Sequence, residues 1–387
     1  MYLVSHLRRR SRIHKHIGEE TGCILPQELV DECLSHLPSP SNELKACALV
    51  CRAWCYTAQR LIFSMVSVAW TTNRYQRLEE TLHASPHLIQ HIRSLTLHRS
   101  SAASPEISAF EKICMFPFTH LENVYIFHSS DVTLQSARAM RRLLSLPTLR
   151  LLDIQCTFEE SPAFLAIWDG CSPSIRHLHL RCHKRWIVNP LRPKQFSLPS
   201  VRIVPESLKI DLSSNIDEWL NHDQCPIDIS RLAVLAIDTR TAVLSWPRMV
   251  PSLQTIEALD LSSRGNGVVD LSLLPNLLFL RIDSISWLSV QVALDTVATI
   301  PASSRIHEII LRIATPEAPD AVCEQLDSEI GGLSFPYLSY VGLEMSIPDY
   351  NDWASHFPRL CSKDLLVRTS TGNDWFETQI HRRNALH

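Results

Sequence analysis

Glycine is nearly missing from this sequence, 9 residues among 387, and a class of sites goes with it. Loops that cradle phosphate need glycine where backbone must approach the ligand closely, and neither GxxxxGK[ST] nor GxGxxG occurs. There is also no GxSxG nucleophile turn, no HExxH zinc helix and no CxxC pair. Charge of one sign is lacking as well: 37 basic against 40 acidic residues leave a net charge of -3, too balanced to steer the chain onto nucleic acid. No run approaches the roughly 18 uncharged apolar residues of a membrane span. The opening MYLVSHLRRRSRIHKHIGEE puts its short apolar run, Tyr2 to Val4, ahead of its arginines, the reverse of a secretory signal. Residues 1–20 therefore read as a basic, flexible tail, in which Arg8 to Arg12 is either a solvated cluster or a nuclear address.

What remains is an ordinary globular composition, 45% apolar and 20% charged, on a chain long enough for two or three domains. The 12 cysteines are spread widely and several fall on apolar helical positions, which argues against a disulfide framework. Cys47, Cys51 and Cys55 recur every four residues, placing three thiols on one side of a helix. Their neighbours Ala48, Leu49 and Val50 suit buried free thiols in a reducing compartment better than a metal site. Neither metal nor cofactor is implied, and the expected residence is cytoplasmic or nuclear.

Two helical runs open the ordered chain. Pro26 suits a first helical position, where its missing N–H costs nothing. Glu28, Asp31 and Glu32 then put negative charge near the positive end of the helix dipole. Leu29, Val30, Cys33, Leu34 and Leu37 give the run an apolar face, and Pro38-Ser39-Pro40-Ser41 stops it, with Ser41 placed to cap the second run. In that second run Leu44, Cys47, Val50, Cys51, Trp54, Ala58 and Leu61 trace one stripe over about twenty residues. So small a unit buries too little to stand alone, and must lean on the rest of the chain, on a partner, or on both.

The order L-P-x-E-L, apolar positions out to Leu37, then L-K-A-C-x-L-V-C-R-x-W resembles an F-box. The positions that carry it are Leu25, Pro26, Glu28, Leu29, Leu34, Leu37, Leu44, Cys47, Leu49, Val50, Cys51, Arg52, Trp54 and Phe63, with Cys33 standing where the family usually has isoleucine or valine. The resemblance implies a three-helix unit over residues 21–63, and hence a break in the second run. It further implies docking on a SKP adaptor and, through it, membership of a cullin–RING ubiquitin ligase, by apolar anchors entering a groove. Leu25, Pro26, Leu29 and Leu34 are the expected anchors, with Glu28, Leu37, Leu44 and Val50 beside them. Cys51 and Trp54 serve either that interface or the unit's own core.

After a polar, helix-compatible connector over 64–85, short strand-like runs recur to the end of the chain: IRSLTLHRS, LENVYIFHSS, LRLLDIQC, IRHLHLRC, LKIDLSS, LAVLAID, EALDLSS, LLFLRIDS, EIILRIA, SYVGLEMS and DLLVRTS. Many read apolar–x–x–apolar–x–apolar, as in Leu149, Leu152, Ile154; Ile175, Leu178, Leu180; Ile256, Leu259, Leu261; and Leu277, Leu280, Ile282. Their spacing averages about 27 residues, inside the range of leucine-rich repeats. Pro86, Pro117, Pro147, Pro173, Pro205, Pro251, Pro275, Pro336 and Pro358 each stand shortly before such a run, where a helix has ended and a strand has not begun. Candidate helices lie between, at Thr133–Leu144, Ala163–Trp168, Val290–Ile300 and Asp320–Ile330. The expected fold is α/β, a small helical F-box followed over 86–387 by an irregular leucine-rich-repeat-like solenoid of strand–helix units. This part resembles the degenerate repeat domains that follow an F-box in many fungal F-box proteins. The asparagine usual in such repeats is absent; Thr157, His183, Arg264 and Ser346 hold its place. A non-repetitive α/β domain is the alternative.

Catalysis finds no support. His177 and His179 share one face of a strand, a pair expected to face solvent, since no sequence neighbour offers a third ligand. Asp211, Asp238, Asp260 and Asp283 fall in or after strands and read as a docking surface for a target protein, not acid–base machinery. Trp168, Trp186, Trp219, Trp246, Trp287 and Trp353 lie between strands and serve either packing or binding. The chain thus reads as a non-catalytic recruiting subunit, with neither nucleic acid nor membrane as partner. The rival reading is a repeat scaffold whose first helices only cap the solenoid.

Overall fold

The computed structural model describes residues 26–39, 41–68, 72–99, 104–158, 161–182, 202–212, 220, 225–238, 244, 247–263, 267–284, 287–313, 320–333, 335–345, 353–368 and 375–386. The tail 1–20, Leu25, His183, Arg264, Ser346, Trp186, Trp219 and Trp246 lie outside them, as do the side chains of Asp211, Asp238, Trp287 and Trp353. The chain divides into two compact units, one ending at Ile175 with residues 186–201 added, the other beginning at Arg176.

In the first unit three helices precede the first strand: α1 (Gln27–Ser35), α2 (Asn42–Cys47) and α3 (Arg52–Ser64). Pro26 sits one position earlier than expected, at the N-cap, where its carbonyl accepts from Leu29 N and Val30 N. Ser41 caps α2, its hydroxyl accepting from Leu44 N at 3.2 Å. The long second run is two helices, as the resemblance implies and the periodicity alone does not: the chain turns over residues 48–50 and Cys51 becomes the extended N-cap of α3. Cys47, Cys51 and Cys55 are therefore not one helical column, and Cys51 is exposed, which corrects the expectation that all three are buried.

The connector also differs from expectation. Helix α3 runs directly into β1 (Met65–Val68), so 64–85 holds a strand and then α4 (Thr72–Ala84). Strands β2 (Ser94–Arg99), β3 (Asn123–Val132) and β4 (Leu151–Phe158) come next, each parallel to the one before. Between them lie α5 (Ser104–Cys114) and α6 (Leu134–Leu144), and after β4 comes α7 (Ser161–Trp168). Thr133 caps α6 from just outside it.

The second unit carries eight more parallel strands in chain order: β5 (His177–Cys182), β6 (Ser207–Leu212), β7 (Val234–Asp238), β8 (Ala258–Ser263), β9 (Phe279–Ser284), β10 (Glu308–Ile313), β11 (Tyr340–Met345) and β12 (Leu366–Arg368). Its helices are α8 (Trp287–Ala298), α9 (Asp320–Gly332), α10 (Pro358–Ser362) and α11 (Trp375–Leu386). Each of the eleven strand-like runs in the sequence is a strand, because alternation along a pleat sends every second side chain to the same side. The register stacks those side chains into rows. Leu178, Leu208, Leu235, Leu259, Leu280, Ile309 and Val341 form one buried row, and Leu180, Ile210, Ile237, Leu261, Ile282, Leu311 and Leu343 the next.

Successive rungs enter the ladder alike. The Arg93 carbonyl accepts from Glu122 N and Asn123 N, that of Glu206 from Ala233 N and Val234 N, and that of Glu257 from Leu278 N and Phe279 N. Most of the prolines ahead of strands occupy turns or loops, as expected, but Pro86 and Pro358 open short helices and Pro251 lies inside a 3-10 segment. Cysteines 114, 156, 171, 225 and 323 are buried, and burial pushes the Cys171 thiol up to about 12 and Cys225 up to about 11, so these sulfurs act as apolar filling.

Candidate functional site: two interaction surfaces

The three-helix unit has a closed inside. Val30, Leu34, Leu44, Ala48 and Ala58 form its buried core, with Leu37, Cys47, Trp54, Leu61 and Ile62 packed against it. Leu34 is 2% exposed and Leu44 0%, so both hold the unit together and neither presents a surface. Val30 and Leu34 share the edge of α1 that turns toward α2 and α3, and Leu37 follows just beyond the helix end. Trp54 and Leu37 are half-buried and pack against the same core.

Polar contacts fix the angle of α1 on α3. The Asp31 carboxylate accepts from Thr57 Oγ1 at 2.5 Å and Gln27 Nε2 at 2.8 Å, while its other oxygen takes Arg60 Nη2 at 3.1 Å. The Thr57 hydroxyl and the Gln27 amide, with lesser help from Arg60, hold the carboxyl below its usual range. No sequence motif announces this cluster, because the bonds that join its two halves, Gln27 with Asp31 and Thr57 with Arg60, span 26 to 30 residues.

The outside of the unit is apolar as well. A second stripe, Pro26 at the N-cap and then Leu29 and Cys33 on α1, runs beside the core edge about a quarter-turn round the helix, and all three are exposed. Leu29 is 52% exposed, and in the turn before α3 Leu49 is 52% and Val50 64% exposed, with Cys51 exposed beside them. A hairpin that sealed only itself would need one apolar edge on α1; this helix has two. Glu28 is exposed in its first turn.

The strand face of the second unit is the other candidate surface, and it is not the open acidic face expected. Asp260 is buried and pairs with Arg281 Nη1 at 3.4 Å; Asp283 pairs with Arg312 Nη1 at 3.2 Å; Arg281 Nη2 also reaches Glu344 at 3.1 Å. The acids are partnered across neighbouring strands because register sets each opposite a guanidinium. Beside this network α11 lies on the same face. Its Trp375, Phe376 and Ile380 pack on Val234, Ala236, Ala258 and Ile310, with Phe279 and Tyr340 alongside. Arg382 Nη1 meets Glu308 at 2.9 Å.

His177 and His179 do not face solvent. His179 is buried and its Nε2 accepts from Arg181 Nε at 2.7 Å; His177 Nδ1 lies 2.8 Å from Ser207 Oγ. Among the described residues no cluster of metal-ligating side chains is found. Burial, with Arg176, His381 and Arg383 adding to it and Glu206 opposing, drives the His177 imidazole down to about 4. The folded value lies below the unfolded value of about 6.5. The unfolded chain thus takes the proton first, and this contribution to stability is whole above about pH 6.5 and drains as pH falls toward 4. The full loss is on the order of 3 kcal/mol. Denaturant midpoints at pH 7 and pH 4.5 should show it, and His177→Gln should flatten the difference; an equal fall in both chains refutes the assignment.

Among the described residues no helix is long and apolar enough to cross a membrane. No curated protein matches the chain. The family model for the F-box domain matches residues 23–65, the stretch that closes on Leu34 and Leu44 inside and leaves Leu29, Leu49 and Val50 outside.

Proposed function

We propose that this protein is the target-recruiting subunit of a SKP–cullin–F-box ubiquitin ligase, with its F-box on the adaptor and its strand–helix domain, a leucine-rich-repeat-like solenoid of the kind that follows the F-box in fungal F-box proteins, on a target protein. The observation that carries the reading is the outward apolar edge of the three-helix unit: Pro26, Leu29, Cys33, Leu49 and Val50 are exposed while the core beneath them is already complete. F-box domains bind SKP adaptors and through them cullin–RING ligases, and F-box proteins are generally non-catalytic receptors. Leu29, Val50 and Pro26 are the assigned contacts, with Leu25 in the same role; Leu34, Leu37, Leu44 and Trp54 support them from inside. The chain itself makes no bond. It acts by raising the effective concentration of target lysines near a charged ubiquitin carrier held elsewhere in the assembly.

The capping alternative has three observations in its favour: α3 passes into β1 with no intervening loop, Arg93 N donates to Ser64 O at 3.0 Å, and the Tyr56 ring stands edge-on to His91 at 5.4 Å. A cap, however, explains the side of α3 that meets the ladder and leaves the exposed edge of α1 without a purpose. The deciding measurement is capture of purified SKP adaptor by the full chain. Stoichiometric binding is expected, and no binding at micromolar concentrations would overturn the ligase reading.

A further inference from the structure

The C-terminal helix α11 belongs to no strand–helix repeat; the ladder ends at β12 and α11 lies across strands far earlier in the sequence. Its buried residues share one edge: Trp375, Phe376, Gln379 and Ile380 recur at helical spacing with half-buried Arg383, and Arg382 beside them reaches back 74 residues to Glu308. The strand face beneath it is shaped for a helix. Val234, Ala236 and Ala258 are small and stand side by side on β7 and β8, while Phe279 and Tyr340 pack alongside, with the Arg382 guanidinium 5.6 Å from the Phe279 ring centroid. Lys209 Nζ lies 5.6 Å from the Phe376 ring centroid. Two acids meet the basic end of the helix, Glu308 at 2.9 Å from Arg382 and Glu257 at 3.9 Å from Arg383.

The fit is incomplete in a telling way. Trp375 Nε1, Gln379 Nε2 and Arg383 Nε are buried with no hydrogen-bond partner among the described residues. Donors sealed from water without an acceptor weaken the packing that buries them. A helix of the same apolar edge and the same basic end, but without the stranded donors of Trp375 and Gln379, would occupy this face better than α11 does.

We propose that the face of β7 to β10 beneath α11 is the docking surface for the target, and that α11 holds it as a stand-in which a target displaces. The proposal rests on the recruiting function and names its substrate class: a protein segment that forms an amphipathic helix, with an aromatic–apolar edge and paired basic residues near its C-terminal end to meet Glu308 and Glu257. Competition between α11 and target keeps an apolar strand face covered until a target arrives.

The probe is a fluorescein-labelled peptide of residues 375–386, titrated against the full chain. Phe376→Asp with Ile380→Asp undocks α11 and leaves the face intact, so this variant should bind the peptide at least tenfold tighter than the unsubstituted chain. Adding Glu308→Arg should abolish the gain, and a peptide carrying Arg382→Glu should restore it. Equal binding by the unsubstituted and undocked chains overturns the proposal. Should the double variant lack a cooperative unfolding transition, Arg382→Glu alone takes its place, because that side chain is half exposed; a severalfold gain is expected and no gain overturns. Adaptor capture is read on every sample: its retention alongside equal peptide binding removes the docking surface and leaves the recruiting function standing.

Discussion

Leu29→Asp combined with Val50→Asp should weaken binding of the SKP adaptor between about 100-fold and 1,000-fold while leaving the unfolding midpoint where it is. Central apolar anchors are worth about 2 kcal/mol each on truncation, and each 1.4 kcal/mol is tenfold in affinity. Both side chains are more than half exposed, so little apolar contact in the free protein is lost and surface changes of this kind stay within about 0.5 kcal/mol of stability. The carboxylates add the expense of burying unpaired charge in an apolar groove, an effect absent from the free protein. Isothermal titration with purified adaptor, paired with a thermal melt of each variant, reads both quantities. Unchanged affinity would show that these side chains face water in the complex and would remove them from the interface.

The strands were legible because their evidence is local. Ile175, Leu178 and Leu180, or Leu277, Leu280 and Ile282, carry the apolar–x–x–apolar–x–apolar pattern within six residues, and all six are buried. β1 escaped because MVSV continues from α3 with neither proline nor glycine to mark a boundary. The break between α2 and α3 escaped for a related reason. Cys47, Val50, Cys51 and Trp54 keep a helical spacing straight through the turn, so hydrophobic period alone joins two helices into one. In α1 the period identified an apolar helix and left open which edge points inward, since Leu29 and Val30 are adjacent and only the position of α2 and α3 selects Val30. The placement of α11 had no local signal at all: a contact 74 residues distant depends on where the whole ladder puts β10.

Leu44→Ala separates the two uses of the N-terminal unit. Leu44 is fully buried among Val30, Leu34, Ala48 and Ala58, and removing its branched end leaves a cavity costing about 3–5 kcal/mol. A unit of this size has no such reserve, since it buries too small a share of its surface. Amides of α1 and α2 should therefore lose their protection from hydrogen exchange, and adaptor binding should weaken through unfolding, without any contact having been touched. The ladder should behave differently. Leu95, Leu97, Val124 and Ile126 are buried by strand pairing and by helices beyond the F-box, so their amides should stay protected. Excess adaptor should then refold the unit by mass action, since ligand at about 1,000 times its Kd offsets some 4 kcal/mol. If the ladder amides exchange together with those of α1, the helices are the end of the solenoid first and an adaptor site second; if only α1 and α2 open and adaptor closes them again, the unit is a module that another molecule completes.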